Sequence, residues 1–397
     1  MLIRPPSIST IPANWPPNTG TNLIGSWKTT EYYRNQGLNI HFSSINTHQT
    51  TVGKIQSHQK PFNGSNIRIF SGSAHPTLAE KISKYLEVPL SERRITTFAN
   101  GEIYLQLKDS VRGKDTFIVQ PTVKTNGGKS VNDHLMEVAL MADALKRASA
   151  KTVTAILPHY GYARGDKKAA KREPIAAAVT ANILQATGVD RTISMDLHAK
   201  QIEGMFSAKS PLENISAIPL TAGYIANKNF ETDNLVIVSP DAGGLKNAQQ
   251  FQETLETLLK DQKKKISVDL AIVNKKRVAI NQVKTMDLIG DVQGKTAVIV
   301  DDLIDTAGTT IGAAQELKKQ GAKQVILLAT HGIFSGKAIV SLKNADFIDE
   351  VVVTDTIPLS QETQKLKKLS VIPTAPLFGE AIKSLKSNNG LPNINDF

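Results

Sequence analysis

Residues 298–310 read Val-Ile-Val-Asp-Asp-Leu-Ile-Asp-Thr-Ala-Gly-Thr-Thr, and this stretch predicts the fold. The β-branched apolar run that ends at Val300 is typical of a buried strand, and helix-like spacing resumes at Thr310 after a polar loop. A strand, a loop and a helix in this order form the repeating unit of a parallel sheet, where ligands bind at the carboxyl ends of the strands. The stretch therefore predicts both an α/β fold and the place of a binding site.

The loop within this stretch has the chemistry of a phosphate site. Its small residues, hydroxyls and backbone N–H groups precede a helix, and partial positive charge at a helix N-terminus favours an anion. Asp301 and Asp302 cannot themselves bind phosphate, because like charges repel, but they could bind sugar hydroxyls or Mg²⁺ through its waters. In a simpler interpretation, the two acids only cap the helix, while Gly308 and Thr309 form the turn.

Composition narrows the class of protein. The 397 residues are 40% hydrophobic and 21% charged, which predicts a globular chain of two domains. No apolar run reaches about 18 residues, so no membrane span is predicted. The absence of cysteine excludes disulfides and a thiol nucleophile, and is consistent with a cytoplasmic location. The net charge of +11 is spread along the chain and aromatic content is 5%, which argues against nucleic acid and favours small phosphorylated substrates.

Residues 1–65 differ in composition from the rest of the chain. They are rich in Pro, Asn, Ser and Thr, contain one acidic residue and lack sustained periodicity, which predicts a disordered or low-complexity extension. A secretory signal is not predicted, because no apolar segment follows Met1. An organelle transit peptide remains an alternative, because acidic residues are scarce. Order is predicted to begin at Asn66.

From there, strand and helix signals alternate, which predicts mostly parallel sheets flanked by helices. The predicted strands span residues 67–70, 116–119, 152–157, 192–195, 235–238, 268–273, 296–300 and 324–328. The predicted helices span residues 76–87, 131–148, 174–187, 244–259 and 310–319.

The sequence also repeats itself. With an offset of 172 residues, Leu145 and His159 match Leu317 and His331, and with an offset of 181 residues the segments around the strands at 116 and 296 match. We interpret this as an internal duplication that gives two tandem domains, residues 66–213 and 214–397. Gln120 in the first copy then corresponds to Asp301 in the second, so only the second copy keeps the acids.

Four further segments place polar residues after predicted strands. Arg164 and Lys167 are candidates for polyphosphate contacts, although a solvated loop is the simpler interpretation. His198 could be structural, but its place near a proposed phosphate and Mg²⁺ site favours a function. Asp241 could contact metal or ribose, or cap a helix. Lys275 and the residues after it form either a solvated loop or a cationic loop that closes over transferring phosphates.

Taken together, residues 66–387 resemble ribose-phosphate diphosphokinase, also called phosphoribosyl diphosphate (PRPP) synthetase, of the type I phosphoribosyltransferase fold. The resemblance runs through residues 98–102, 144–150, 160–168, 172–175, 196–199, 239–241 and 301–309. It implies transfer of the β,γ-diphosphoryl group of ATP to the anomeric hydroxyl of ribose 5-phosphate, giving PRPP and AMP. It also implies Mg²⁺ as cofactor and a homo-hexamer or other homo-oligomer.

The resemblance assigns roles to individual residues. It implies that ATP is bound by Phe98, Asn100 and Glu102 of a neighbouring subunit, together with Arg164, Asp166 and Lys167. For ribose 5-phosphate it implies Asp301 and Asp302 at the hydroxyls and Asp305, Thr306, Ala307, Gly308 and Thr309 at the phosphate. For Mg²⁺ it implies His198 and Asp241, and for charge on the transferring group it implies Lys275 and Arg277.

Some positions depart from the family pattern. Asn100 stands where the family usually has Asp, and Gly165 stands where it has Gln, which leaves nucleotide specificity open. The loop that begins at Lys275 is poorer in Arg and Pro than usual, and residues 125–129 lengthen another loop. Two alternatives stay open: a catalytically weak regulatory paralogue associated with a PRPP synthetase, and a phosphoribosyltransferase. The retained acids, His198 and the basic loop argue against the first, and the duplicated architecture argues against the second.

Overall fold

The computed structural model describes residue 62 and residues 64–230, 234–275 and 286–387. The predicted extension up to residue 61, the side chain of Lys275 and the whole of Arg277 lie outside the described residues. Phe62 already packs against the core, and Gly64–Asn66 forms one turn of 3₁₀ helix. The contacts of the described residues therefore include Phe62 and Gly64, which precede the predicted start at Asn66.

Strands and helices alternate along the described chain. The strands are β1 Ile67–Ser71, β2 Arg93–Thr97, β3 Ile103–Leu107, β4 Asp115–Val119, β5 Thr152–Leu157, β6 Arg191–Met195, β7 Leu212–Ile215, β8 Asn234–Ser239, β9 Ser267–Lys275, β10 Met286–Ile289, β11 Thr296–Ile304, β12 Gln324–Gly332, β13 Glu350–Thr354 and β14 Leu369–Ile372. The helices are α1 Pro76–Leu86, α2 Val131–Arg147, α3 Ala176–Ala186, α4 Ile218–Ala226, α5 Leu245–Asp261, α6 Gly308–Lys319, α7 Ala338–Lys343, α8 Gln361–Gln364 and α9 Ala375–Ser387.

The strands form two main sheets with matching order. The first sheet is parallel throughout, in the order β1-β4-β5-β6-β7. The second has the order β10-β9-β8-β11-β12-β13-β14, and only its edge strand β10 is antiparallel. Within it, β8-β11-β12-β13-β14 repeats the order of the first sheet. This confirms the predicted α/β fold with two tandem copies.

The end of β11 corrects one prediction. The sequence predicts a strand that stops at Val300, because two acids follow, yet the strand continues to Ile304. Asp301 pairs with Ala329 and Leu303 with His331 in the neighbouring β12, so the backbone keeps its ladder through the polar residues. The two acids therefore lie on a strand and not in a loop, and neither caps the helix that follows. That helix, α6, begins at Gly308, two residues before its predicted start.

The helix predicted at residues 174–187 begins only at Ala176. Glu173, just before the predicted start, accepts the backbone N–H groups of Ala169 and Ala170 at 2.8 and 2.9 Å. This carboxylate closes a turn, and the segment from Glu173 to Ile175 remains outside the helix.

The two halves share one hydrophobic core. Residues from β1 and α1 in the first half and from α5 and α9 in the second half belong to a single buried cluster, in which Phe251 and Phe378 are fully buried. Helix α9 packs on α1, where the hydroxyl of Tyr85 donates to Glu380 at 2.7 Å. Full burial of one such aromatic side chain contributes about 2 to 3 kcal/mol. This packing holds the two sheets in a fixed relation.

Candidate active site

The carboxyl ends of β6 and β11 face each other across the two halves. His198, three residues beyond β6, places its Nδ1 atom 2.6 Å from Oδ2 of Asp302 in β11. The two residues are 104 positions apart, and the side chain of Asp302 is only 13% exposed. The fold therefore brings two predicted site residues into one cleft.

Charge is separated within this pair. The hydrogen bond to Asp302 raises the pKa of His198, which favours the imidazolium. Burial alone would raise the pKa of Asp302, but the hydrogen bond from His198 lowers it. Both shifts favour an imidazolium held by a carboxylate.

Asp301 behaves differently from its neighbour. Burial, reinforced by the charge of Asp302, raises the pKa of Asp301 to about 8, and Asp241 adds to the repulsion. The protonated form of Asp301 is therefore favoured at neutral pH. A carboxyl group in this state would ionise readily beside a bound cation.

A second ion pair crosses the cleft. Nη1 of Arg164, in the short 3₁₀ turn after β5, lies 2.8 Å from Oδ2 of Asp305, in the loop after β11. The other oxygen of Asp305 is buried and has no hydrogen-bond partner within the described part of the chain. This contact joins the segment predicted to bind ATP to the loop predicted to bind the 5-phosphate.

The loop before α6 has the geometry of an anion site. Ala307 has φ of 62°, in the left-handed region, and its methyl group cannot cap the helix. The hydroxyl of Thr310 donates to the carbonyl of Ala307 at 3.1 Å and holds this turn. Thr306, Gly308 and Thr309 are exposed, so the positive end of the helix is accessible to a ligand.

Asp241 and Asp166 have local structural partners. Oδ1 of Asp241 accepts the N–H groups of Gly243 and Gly244 at 2.9 and 3.0 Å, so one of its oxygens closes the turn before α5. Asp166 is 8% exposed and accepts from the amide of Gln201. Lys167, the next residue, is exposed.

The hairpin formed by β2 and β3 carries the remaining predicted ATP residues at its tip. Phe98 is 54% exposed and lies edge-on to Tyr104, with ring centroids 5.9 Å apart. Oδ1 of Asn100 accepts the N–H of Glu102 at 3.1 Å, and both residues are exposed. Within the described part of the chain, these tip residues contact one another and Tyr104, and none of these contacts joins the tip to the ion pairs of the cleft.

The site fits Mg²⁺ through its carboxylates more than through histidine. Among the described residues, no group of three or more His, Asp or Glu side chains is arranged as a metal cage. Mg²⁺ prefers oxygen, retains waters and is commonly held by one or two carboxylates together with substrate phosphates. Asp301, Asp302 and Asp241 supply carboxyl groups that lie close to one another, which suits such a site.

Known proteins match both halves. Residues 67–188 match the model of the N-terminal domain of ribose phosphate pyrophosphokinase, and residues 260–394 match that of the phosphoribosyl synthetase-associated domain. A ribose-phosphate pyrophosphokinase of Wolinella succinogenes is 45% identical over 327 residues, covering 82% of this chain and 98% of the relative.

The chain belongs to the ribose-phosphate pyrophosphokinase family. A second relative, from Clostridium acetobutylicum, is 42% identical and covers 81% of this chain and 95% of its own length. The crystal structure of phosphoribosylpyrophosphate synthetase from Mycobacterium smegmatis superposes with a TM-score of 0.73 at 40% identity, covering 82% of this chain and 100% of that one. This membership confirms the predicted family and the prediction of an enzyme.

Family membership does not by itself assign the residues, and several contacts of this family member have no signal in the sequence. No pattern indicates Gln201 as the partner of Asp166. The same holds for Thr330, whose hydroxyl donates to the carboxylate of Asp196 in the turn before His198. His331, which also contacts that turn, does have a signal in the sequence. The internal repeat places it at the same position as His159. None of the helices in the described ranges has the length and apolar character that a bilayer crossing requires.

Proposed function

We propose that this chain transfers the β,γ-diphosphoryl group of ATP to the C1 hydroxyl of ribose 5-phosphate, giving PRPP and AMP for nucleotide biosynthesis. The C1 oxygen forms a bond to the β-phosphorus, the bond from that phosphorus to the α,β-bridging oxygen breaks, and the hydroxyl proton is released. The observation that carries the proposal is the pair of cross-cleft contacts, His198 with Asp302 and Arg164 with Asp305, in a member of this family.

Ribose 5-phosphate is proposed to lie along the end of β11. Asp301 and Asp302 would accept the ribose hydroxyls, and the loop Asp305, Thr306, Ala307, Gly308 and Thr309 would receive the phosphate at the start of α6. Arg164 compensates the charge of Asp305 at 2.8 Å, so that a carboxylate can stand beside a phosphate. Because the raised pKa of Asp301 indicates that its neighbouring acids disfavour further negative charge, we expect ligand binding to be cation-dependent.

ATP is proposed to enter from the side of the first half. Arg164, Asp166 and Lys167 would bind ATP from that side, and Lys275 and Arg277 are proposed to stabilise charge on the β-phosphoryl group and on AMP. Bound Mg²⁺ would neutralise charge on the transferring phosphates. We propose that Asp241 contributes to its site, and that His198 contributes through Asp302 or a metal-bound water.

A homo-oligomer, such as a hexamer, would complete the site. The hairpin tip with Phe98, Asn100 and Glu102 is exposed in a single chain, which supports the proposal that it serves the adenine pocket of a neighbour. Met136 and Leu140, one turn apart on α2, are 50% and 36% exposed and could be covered by that neighbour. The cytoplasmic location remains a prediction.

The test is an assay with purified protein, Mg²⁺, ATP and ribose 5-phosphate, in which AMP is separated and PRPP is identified by its ³¹P spectrum. We expect equal amounts of both products. Lys275→Ala should reduce turnover on the order of a hundredfold, as for loss of a charge partner in the transition state. A wild-type protein that forms no PRPP would refute the function, and an unchanged rate in the variant would refute the role of the loop. Substituting GTP or CTP tests the effect of Asn100.

A further inference from the structure

Two histidines at equivalent positions of the two halves meet beneath the active cleft. The rings of His159 and His331 lie edge-on, with centroids 4.9 Å apart and planes at 85°. His331 is 3% exposed, so it is not placed to touch a substrate. A cavity lined by both rings also reaches His198 and Asp302. The two histidines therefore lie next to the contact between His198 and Asp302 without being part of it.

His331 forms hydrogen bonds that join the two halves. Its Nε2 atom lies 3.0 Å from the carbonyl oxygen of Met195 and 3.3 Å from that of Asp196. Its Nδ1 atom lies 2.9 Å from the hydroxyl of Thr356. Because a carbonyl can only accept, Nε2 carries the hydrogen and Nδ1 accepts from Thr356. The ring is thus held in one tautomer and one orientation.

The segment that receives these bonds is the turn before His198. Asp196 has φ of 38°, a left-handed conformation that is unfavourable for a residue other than glycine. Its N–H donates to the carbonyl of Ile215 at 2.9 Å, and its carboxylate accepts from the N–H of Ala217 and the hydroxyl of Thr330. Such a turn persists because partners on several sides hold it, and two of these partners, Thr330 and His331, are adjacent residues of β12.

The same strand also holds the partner of His198. Leu303 pairs with His331 in the β11–β12 ladder, and Asp302 is the residue before Leu303. His331 in β12 therefore contacts the segments that carry both members of the pair His198 and Asp302. Its side chain holds the turn that carries His198, and its backbone holds the strand that carries Asp302.

We propose that His331 is a positioning residue, which fixes His198 against Asp302 through the hydrogen bond from its Nε2 atom to the carbonyl of Met195. The inference rests on the proposed function and adds a residue that acts without touching ATP or ribose 5-phosphate. Loss of this donor leaves the turn free to shift, and a displacement of about 1 Å near reacting groups can cost on the order of a hundredfold in rate.

Two substitutions separate the hydrogen bond from the volume of the ring. The amide of His331→Gln can reach the position of Nε2, whereas that of His331→Asn reaches only the position of Nδ1. Both remove the contact with His159, so both share that loss of packing. We expect kcat/KM to fall about tenfold or more in His331→Asn and less than about threefold in His331→Gln.

A double-mutant cycle with His198→Ala tests whether His331 affects kcat/KM through His198. If His331 acts through His198, the loss caused by His331→Asn should shrink to less than about twofold when His198 is already absent. Equal losses in both backgrounds would overturn the proposal and leave a structural role. Should His331→Asn fail to fold, Thr330→Val, which removes the hydroxyl bonded to Asp196, takes its place in the cycle with the same expectation.

A readout independent of activity distinguishes failure of this inference from failure of the proposed function. The Nδ1 hydrogen of His198 bonded to Asp302 should give a downfield proton resonance that is lost in Asp302→Asn, which identifies it. We expect this resonance to persist in His331→Gln and to disappear in His331→Asn. Its persistence in both variants would contradict positioning, whether or not the wild type forms PRPP.

Discussion

The ends of β4 and β11 occupy equivalent places in the two halves, yet their polar side chains are paired differently. At the end of β4, the amide of Gln120 donates to Glu137 at 2.6 Å and accepts the N–H of Ala74 at 2.9 Å. The other oxygen of Glu137 accepts from Lys129 and from the hydroxyl of Ser73, both at 2.6 Å. Glu137 is fully buried. We call these five residues the Glu137 cluster.

At the end of β11, histidine compensates only one of two adjacent acids. Asp301 and Asp302 are adjacent, and in the described part of the chain neither forms an ion pair with a lysine or an arginine. Asp302 is paired with His198, and the pKa of Asp301 is raised to about 8 by burial and by its neighbour. A buried polar site whose groups are all paired is structural, whereas one in which a carboxyl group has a strongly perturbed pKa can receive a ligand.

The largest effect predicted from this comparison is a loss of stability when the polar cluster at the end of β4 is broken. Lys129→Met leaves the carboxylate of Glu137 buried and unpaired, which should lower the free energy of unfolding by about 3 kcal/mol. In the wild type, burial would raise the pKa of Glu137, but the hydrogen bond from Lys129 lowers it. Stability from this group is therefore present above pH ~4.3 and lost as pH falls. Urea unfolding as a function of pH measures both effects.

The control for this variant removes the charge as well. Lys129→Met combined with Glu137→Gln should recover most of the lost stability, because no buried charge then remains. If the double variant is as unstable as Lys129→Met alone, the cluster is held together by packing and not by charge compensation.

The second effect is a loss of activity when an acid at the end of β11 is removed. Asp302→Ala should lower kcat/KM for ribose 5-phosphate on the order of a hundredfold, because a ribose contact and the partner of His198 are both lost. Its free energy of unfolding should stay within about 1 kcal/mol of the wild type, since the charge of Asp302 that disfavours ionisation of Asp301 is removed. Steady-state kinetics and urea unfolding check the two halves of this prediction, with Glu253→Gln as an exposed charge-neutralising control. A large stability loss with normal kinetics would make both strand ends structural.

Much of this comparison can be predicted from the sequence. The β-branched runs predict β4, β5 and β11, and the internal repeat aligns Gln120 with Asp301. The partners of Gln120 are not predictable, because Glu137 lies on a helix and Lys129 in an inserted loop, and neither pattern indicates contact. The continuation of β11 through its acids is not predicted either, because ladder bonds to β12 outweigh local polarity.

The third effect is a pH dependence of stability at Asp301, opposite in sign to that expected for Glu137. The pKa of Asp301 lies at about 8 in the folded chain and at about 3.9 when unfolded, so its contribution to stability is lost as pH rises from ~4 to ~8. In EDTA, Asp301→Asn should therefore gain stability relative to the wild type at pH ~8, on the order of 2 kcal/mol, but not at pH ~4. A constant difference between the two proteins across this range would exclude the assigned titration.

The smallest effect is expected at the exposed ion pair. Arg164 is 60% exposed, so Arg164→Gln should change the free energy of unfolding by less than about 1 kcal/mol. The affinity for ribose 5-phosphate should nevertheless fall, because Asp305 then stands uncompensated beside the phosphate. Calorimetric titration of the variant with ribose 5-phosphate at two salt concentrations measures this. Unchanged affinity would place Asp305 outside the phosphate site.

Other parts of the site lie beyond sequence reasoning for physical reasons. The pairs Arg164 with Asp305 and His198 with Asp302 join residues 141 and 104 positions apart, and no local pattern encodes such contacts. The hairpin of β2 and β3 is not predicted because Arg93–Thr97 alternates weakly and is largely exposed. The elements after β12 are not predicted either, although α9 completes the shared core.

The central claim is that a sugar phosphate binds at the end of β11 and not at the equivalent end of β4. Isothermal titration with ribose 5-phosphate in the presence of Mg²⁺ tests it directly, using the wild type, Asp301→Ala with Asp302→Ala, and Lys129→Met with Glu137→Gln. We predict that affinity falls at least about tenfold in the first double variant and stays within about twofold of the wild type in the second. Retained affinity in the first, or loss confined to the second, would contradict the account.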